Sequence, residues 1–282
     1  MKKTVRFIFI LPLIVSLLSC GRTENKTIRA AVIGGMTMTG LWENITTMFA
    51  EDTGYEVRVV ITGQRPGLAD AIRRGEVDFL TMHSGDITTN IVADGYGTGM
   101  LPWAKNDLVI AGHVTDPAGI SGLRDGVEAL KRIARHRANF IDSASIGPRE
   151  MSHTLWKRAG ITPSGSWYLQ DGHRGHDNVL KFASRNRAYI VFGRMPLIWG
   201  KIPVPHDMKI LVQGDPLMRR PYIAMAANPE KVKGVNIEGA KKLLEYLLSD
   251  RVQEFLASYD GGMKDGIPLF YPVTEKYAAK FR

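Results

Sequence analysis

The chain has 282 residues, 37 Lys+Arg against 28 Asp+Glu, 44% hydrophobic and 23% charged residues, and one Cys. An ordinary apolar fraction excludes a disordered chain, and a lone Cys excludes an internal disulfide framework. The length suits one large or two smaller domains with a sizeable core.

Lys2, Lys3 and Arg6 precede an apolar stretch at 7–18. That stretch is too short to cross a hydrocarbon layer of about 30 Å, which needs about 20 helical residues, so 1–19 reads as a secretion signal. Its end, Leu17-Leu18-Ser19-Cys20, resembles the lipobox of bacterial lipoproteins, which implies that Cys20 is lipidated and becomes the first residue of a membrane-anchored chain. Cleavage removes three bases and no acid, leaving 34 bases against 28 acids. No basic run is interleaved with aromatics, only scattered pairs such as Arg73-Arg74 and Arg219-Arg220, so no nucleic-acid partner is expected. A small anionic ligand or an anionic membrane surface suits the charge better.

After a polar tether at 20–26, residues 27–34 read as a buried strand. Leu41, Ile45, Met48 and Phe49 then recur at helical spacing up to Gly54. The alternation continues with strand 56–61, helix 66–74, strand 77–82, helix 84–94 and strand 107–111. Such alternation implies a parallel sheet with helices on both faces. A second alternating run opens with the stripe Leu123, Val127, Leu130, Ile133 and Ala134. It continues through strand 139–141, helix 149–159 and strands 167–169 and 188–192. Strand 222–226 follows, then two helices whose stripes (Leu243, Leu244, Leu247, and Val252, Phe255, Leu256) must pack on a sheet.

In an open parallel sheet, ligands sit beyond the carboxyl ends of the strands, where helix N-termini present free N–H groups. The loops there are Gly34-Gly35-Met36-Thr37-Met38-Thr39-Gly40, Thr62-Gly63-Gln64-Arg65-Pro66 and His83-Ser84-Gly85. A further loop, running from Asp142-Ser143-Ala144-Ser145 to Arg149, opens a helix in the second run. Taken singly each loop is explained by turn and N-cap chemistry. Two facing sets of such donors make an anion clamp.

Several ordered segments carry a wider similarity: Asp52-Thr53-Gly54-Tyr55-Glu56-Val57, Thr62-Gly63-Gln64, Gly75-Glu76-Val77-Asp78, Asn106-Asp107-Leu108-Val109-Ile110-Ala111-Gly112, Leu155-Trp156-Lys157-Arg158-Ala159-Gly160 and Gly214-Asp215-Pro216. Their order and spacing resemble the periplasmic tungstate-binding components of ABC importers, type II solute-binding proteins related to molybdate and phosphate binders. The resemblance implies an α/β, two-lobed binding protein, each lobe a mostly parallel sheet flanked by helices, joined by two crossovers. Lobe I would hold 27–112 and 222–282, and lobe II 113–221. It implies an extracytoplasmic monomer that captures a small oxyanion, tungstate or molybdate first, for a permease in the inner membrane, on the periplasmic or cell-surface side. No cofactor, metal or catalysis is implied.

Carried over onto this sequence, the ligand donors would be Thr37, Thr39, Thr62, Gln64, Ser143 and Ser145, with Arg149 or Arg194 supplying charge. Asp142, His173 and Arg174 would be outer or gating residues. The chain departs from the family in these loops. The family's Ser-Arg-Gly-Asp-x-Ser-Gly-Thr-His falls on Asp142 to Glu150, without its Arg, and its Gly-x-Gly-Met-Gly becomes Gly172-His173-Arg174-Gly175-His176. These departures leave open a different ligand, a protonated oxyanion such as phosphate or a small organic anion, and a sensor role. Asp142 would then accept a hydrogen bond from the ligand; its alternative is an ion pair with Arg149 or a helix cap. A metal cluster of His173, His176 and Asp177, and a Ser84 nucleophile beside His83, are weaker readings and are set aside.

Overall fold

The computed structural model describes residues 25–172, 175–200, 202–263 and 266–281. The expected signal at 1–19, Cys20, His173 and Arg174 lie outside the described residues.

The chain opens with β1 (Thr27–Ile33), α1 (Gly34–Met38), α2 (Leu41–Thr53), β2 (Glu56–Gly63), α3 (Arg65–Arg73), β3 (Phe79–His83), α4 (Asp86–Ala93) and β4 (Gly97–His113). The middle runs α5 (Gly126–His136), β5 (Phe140–Asp142), α6 (Ile146–Ala159), β6 (Tyr168–Gln170), α7 (His176–Arg185), β7 (Tyr189–Gly193), α8 (Arg194–Ile198) and β8 (Met208–Val212). The chain closes with β9 (Arg219–Ala227), α9 (Ile237–Leu247), α10 (Asp250–Ser258), β10 (Tyr271–Pro272) and α11 (Glu275–Ala278).

Local chemistry sets the boundaries. Gly54 ends α2 in the left-handed conformation, its N–H on Ala50 O. Asp125 caps α5 by accepting from Glu128 N, Asn236 caps α9 through Gly239 N, and Ser249 caps α10 through Val252 N.

The strands follow the order β2-β1-β3-β9-β4-β7-β5-β6. The pairs β1/β2, β1/β3, β5/β6 and β5/β7 are parallel, as the alternation predicts. β3/β9, β4/β9, β4/β7, β4/β8 and β4/β10 are antiparallel, so the sheet is mixed. The reason lies in β4. Its first part, to Asp107, pairs with β9, and from Leu108 it pairs with β7, so one strand carries the chain across both halves.

One core packs on the first half around Trp42, Phe79 and Trp103; the Trp42 and Phe79 rings stack at 5.7 Å between centroids. Two cores cover the faces of the second half, one around Phe140 and Trp156 and the other around Ile141, Leu180 and Phe192. Residues 34–40, expected as a loop, begin with the short helix α1; α7 and β8 were not anticipated. Among the described residues no helix is long and apolar enough to cross a membrane.

Candidate functional site

Because β1, β2 and β3 are parallel, their carboxyl ends lie on one edge and feed α1, α3 and α4. Thr37 and Thr62 meet there, their hydroxyl oxygens 3.0 Å apart, and Thr37 Oγ1 also lies 3.1 Å from Gly34 O. Gln64 is the exposed N-cap residue of α3. Thr39 is buried and donates back within its own turn, to Gly35 O at 2.9 Å and Met36 O at 3.2 Å.

In the second half, Asp142 ends β5, buried, with Arg149 Nη2 at 3.4 Å and His153 Nε2 at 3.2 Å. Tyr168 also hydrogen-bonds it, and burial together with this carboxylate holds the Tyr168 hydroxyl well above its ordinary range. The contact to Arg149 is the ion pair weighed against a ligand-accepting role. Ser143 is buried, and its Oγ accepts from Ser145 N at 3.1 Å. Ala144 N–H, between them, donates to the Asp171 carboxylate. Ser145 is the N-cap residue of α6.

Arg194 opens α8, buried, and donates to Pro268 O at 3.3 Å. It also faces Asp107, whose carboxylate accepts from Tyr271 Oη at 2.5 Å and lies 3.5 Å from Arg219 Nε. Burial raises the Asp107 carboxyl above its ordinary value against those partners. The structure therefore brings Thr37 to Thr62 and Asp142 to Arg149, and sets Arg194 in a separate network at the junction of β4 and β9.

Arg65 and Arg220, to which the sequence assigns no role, gather with Glu150 and His83 at the carboxyl end of β3. Arg65, in the first turn of α3, is 6% exposed, and its Nη1 donates to Ser84 O at 3.3 Å. Arg220, near the start of β9, donates from Nη2 to the same Ser84 O at 3.0 Å and reaches Glu150 Oε2 of α6 at 3.2 Å. The Arg220 side chain is 12% exposed, that of Glu150 47%. Burial, and secondarily repulsion from Arg65, lower the Arg220 guanidinium to about 10. Burial also lowers Arg65, opposed by Glu150 and Asp86. His83 stacks on Tyr222 at 4.2 Å; burial, then Arg220 and Arg65, push its imidazole well below the ordinary range, against a hydrogen bond with Asn106 that raises it.

Two glycines make room for these arginines. A Cβ on Gly85 would fall 2.6 Å from Arg65 Nη1, and one on Gly147, in the first turn of α6, would overlap Arg220 Nη1. In the sequence Arg65 sits inside the loop at 62–66, and Arg220 is one of the scattered pair Arg219-Arg220. The available signal was an arginine pair directly ahead of a buried strand.

Against known proteins, residues 30–260 match the family described as bacterial extracellular solute-binding protein. The tungstate-binding protein TupA of Peptoclostridium acidaminophilum is 32% identical over 263 residues, covering 91% of this chain and 90% of that one. Among solved structures, the tungstate-binding protein TupA from Desulfovibrio alaskensis G20 superposes with a TM-score of 0.73 at 27% identity, over 88% of this chain and 99% of that one. The tungstate ABC transporter structure from Geobacter sulfurreducens gives 0.68 at 30% identity, over 83% and 98%.

Proposed function

The chain belongs to the family of bacterial extracellular solute-binding proteins, and from that premise we propose that it captures a small oxyanion, tungstate or molybdate first, and delivers it to the permease of an ABC importer. The observation that carries this reading is similarity along nearly the whole chain to proteins named for tungstate binding, on a matching fold.

The chemistry is exchange of solvation. Two lobes, 27–112 with 222–282 and 113–221, close on the anion, and fixed hydroxyl and amide donors replace its water in a dry cleft. There each charge-assisted hydrogen bond is stronger than a neutral one, and cleft size selects among oxyanions. Thr37, Thr62, Gln64, Ser143 and Ser145 supply donors, the first three from the carboxyl edge of β1 and β2 and the last two from the loop before α6. No bond of the ligand is made or broken. The chain acts as a monomer tethered outside the cytoplasm through lipidated Cys20 after removal of 1–19.

A second reading is favoured by two carboxylates at the α6 loop, Asp142 and Asp171. They suit a ligand with a proton to donate, such as hydrogen phosphate or a hydroxylated organic anion, on the same scaffold and with a receptor in place of a permease.

Titration calorimetry of the chain without its first 20 residues, against tungstate, molybdate, phosphate, sulfate and small carboxylates, decides between them. Tight one-to-one tungstate or molybdate binding supports the first reading and a preference for phosphate or a carboxylate the second; no binding by any of them refutes both.

A further inference from the structure

We infer that Arg65 and Arg220 supply the positive charge of the anion site, that the site takes a fully ionised oxyanion of charge −2, and that Glu150 is the internal carboxylate such a ligand displaces. This deepens the oxyanion reading above and rests on it.

Both guanidiniums converge on one carbonyl, Ser84 O, from 3.3 Å and 3.0 Å. Two like charges buried side by side are costly to a fold unless an anion joins them. Neither Arg149 nor Arg194 stands in that position. Arg149 is half-exposed beside Asp142, and Arg194 faces Asp107 and Pro268 O.

The partners already present do not close the charge balance. Ser84 O is a neutral acceptor shared by both arginines. Glu150 reaches Arg220 at 3.2 Å from the far side of the cleft, and its own side chain is 47% exposed. Among the described residues no carboxylate lies within 4.0 Å of Arg65; Glu150 and Asp86 act on it from farther away. Among the described residues Glu150 is therefore the one carboxylate in ion-pair contact with either guanidinium, and Asp86 acts on Arg65 from farther away. Moving Glu150 to solvent leaves two guanidiniums with no contacting carboxylate, a charge that a dianion balances more fully than a monoanion.

Burial and both guanidiniums disfavour a charged His83, so the two arginines are the cations of this cluster. The first turn of α6, where Gly147 lies directly against Arg220, adds N–H groups and the positive end of the helix dipole to the same place. Because the two arginine tips share one carbonyl oxygen, both charges stand within reach of a single small anion. Glu150, standing one turn into α6, occupies the site as a tethered surrogate and lowers the apparent affinity for every competing anion by the same route.

The test is titration calorimetry of tungstate, sulfate and phosphate at about pH 8 into the wild-type chain, Arg65→Gln, Arg220→Gln, Arg149→Gln and Glu150→Gln, with circular dichroism to verify folding. A dianion is expected to bind the wild type. Arg65→Gln and Arg220→Gln are each expected to weaken it at least about a hundredfold, Arg149→Gln by less than about threefold, and Glu150→Gln to tighten it about tenfold. Glu150 is half-exposed on α6, so its variant reads out even if an arginine variant does not fold.

If the wild type binds a dianion while the folded arginine variants hold it within about threefold and Glu150→Gln brings no gain, this inference falls and oxyanion capture stands. If neither the wild type nor Glu150→Gln binds any dianion, both fall.

Discussion

His83 ends β3 with its ring against Tyr222, and burial, Arg220 and Arg65 all disfavour its charged form. A histidine depressed in the fold stays neutral while the unfolded chain takes up a proton below about pH 6.5, so the unfolded state binds more protons there and stability rises with pH. The contribution is complete above that pH and is lost on acidification, by at most about 1.4 kcal/mol per pH unit. Urea unfolding at about pH 7.5 and about pH 5.5 should show the wild type losing roughly 1 kcal/mol more than His83→Gln, whose side chain does not titrate. Gly147 gives a complementary test at the same cluster. Ala is favoured over Gly inside a helix by about 1 kcal/mol, and the atom its Cβ would meet is the tip of a flexible arginine. Gly147→Ala should therefore leave the urea midpoint nearly unchanged while swinging Arg220 away, with tungstate affinity by calorimetry reduced about tenfold or more. An affinity equal to wild type would show that the Arg220 position is immaterial to binding.

At the level of elements, α10 shows what pattern reading reaches and where it stops. The stripe Val252, Phe255 and Leu256 was legible, and Val252 and Leu256 are buried. Between them Gln253, fully buried, donates to Trp103 O and Leu247 O, both at 2.8 Å, and accepts from Val273 N at 2.8 Å and Thr274 N at 3.2 Å. One amide thus joins β4, the end of α9 and the segment after β10. Gln253→Leu keeps the volume but strands two carbonyls and two N–H groups, and should cost about 3 kcal/mol or more in chemical denaturation. In sequence this Gln is a polar residue inside a helix, with nothing to mark it as buried. β4 was legible only at 107–111, because Gly97, Gly99 and Pro102 interrupt its first part, where pairing to β9 slips register. α7 had a readable signal in Val179, Leu180 and Ala183, all buried at helical spacing, which the glycine- and histidine-rich run before it obscured. That Thr37 and Thr62 come together was legible because Thr37 follows β1 and Thr62 lies at the end of β2, strand ends that local pattern fixes. Arg65, Arg220 and Glu150 were not, because their meeting depends on β9 lying antiparallel to β3, a pairing of segments far apart in sequence.

The whole molecule turns on the place where β4 leaves β9 for β7, between Asp107 and Leu108. Asp107 pairs across with Arg219 in register, Arg219 lies 4.1 Å over the Tyr271 ring, and Tyr271 Oη donates to the Asp107 carboxylate. This buried knot fixes the strands that pass between the halves, whereas the contact reaching across the cleft, Arg220 to Glu150, engages a half-exposed carboxylate. A ligand that replaces Glu150 therefore acts at a half-exposed contact and leaves the buried cluster of Asp107, Arg219 and Tyr271 untouched. Saturating tungstate should shrink the radius of gyration measured by small-angle scattering in the wild type and leave it unchanged in Arg220→Gln. The same addition at about 100 times the dissociation constant stabilises the folded state by about 2.7 kcal/mol, which for a chain of this size raises Tm by roughly 5–10 °C. Contraction and thermal shift should appear together, because both draw on the anion's contacts to two halves at once. A full thermal shift without contraction would mean that the anion is held by one half alone, and the clamp formed by the loops after β1, β2 and β5 would then have to be abandoned.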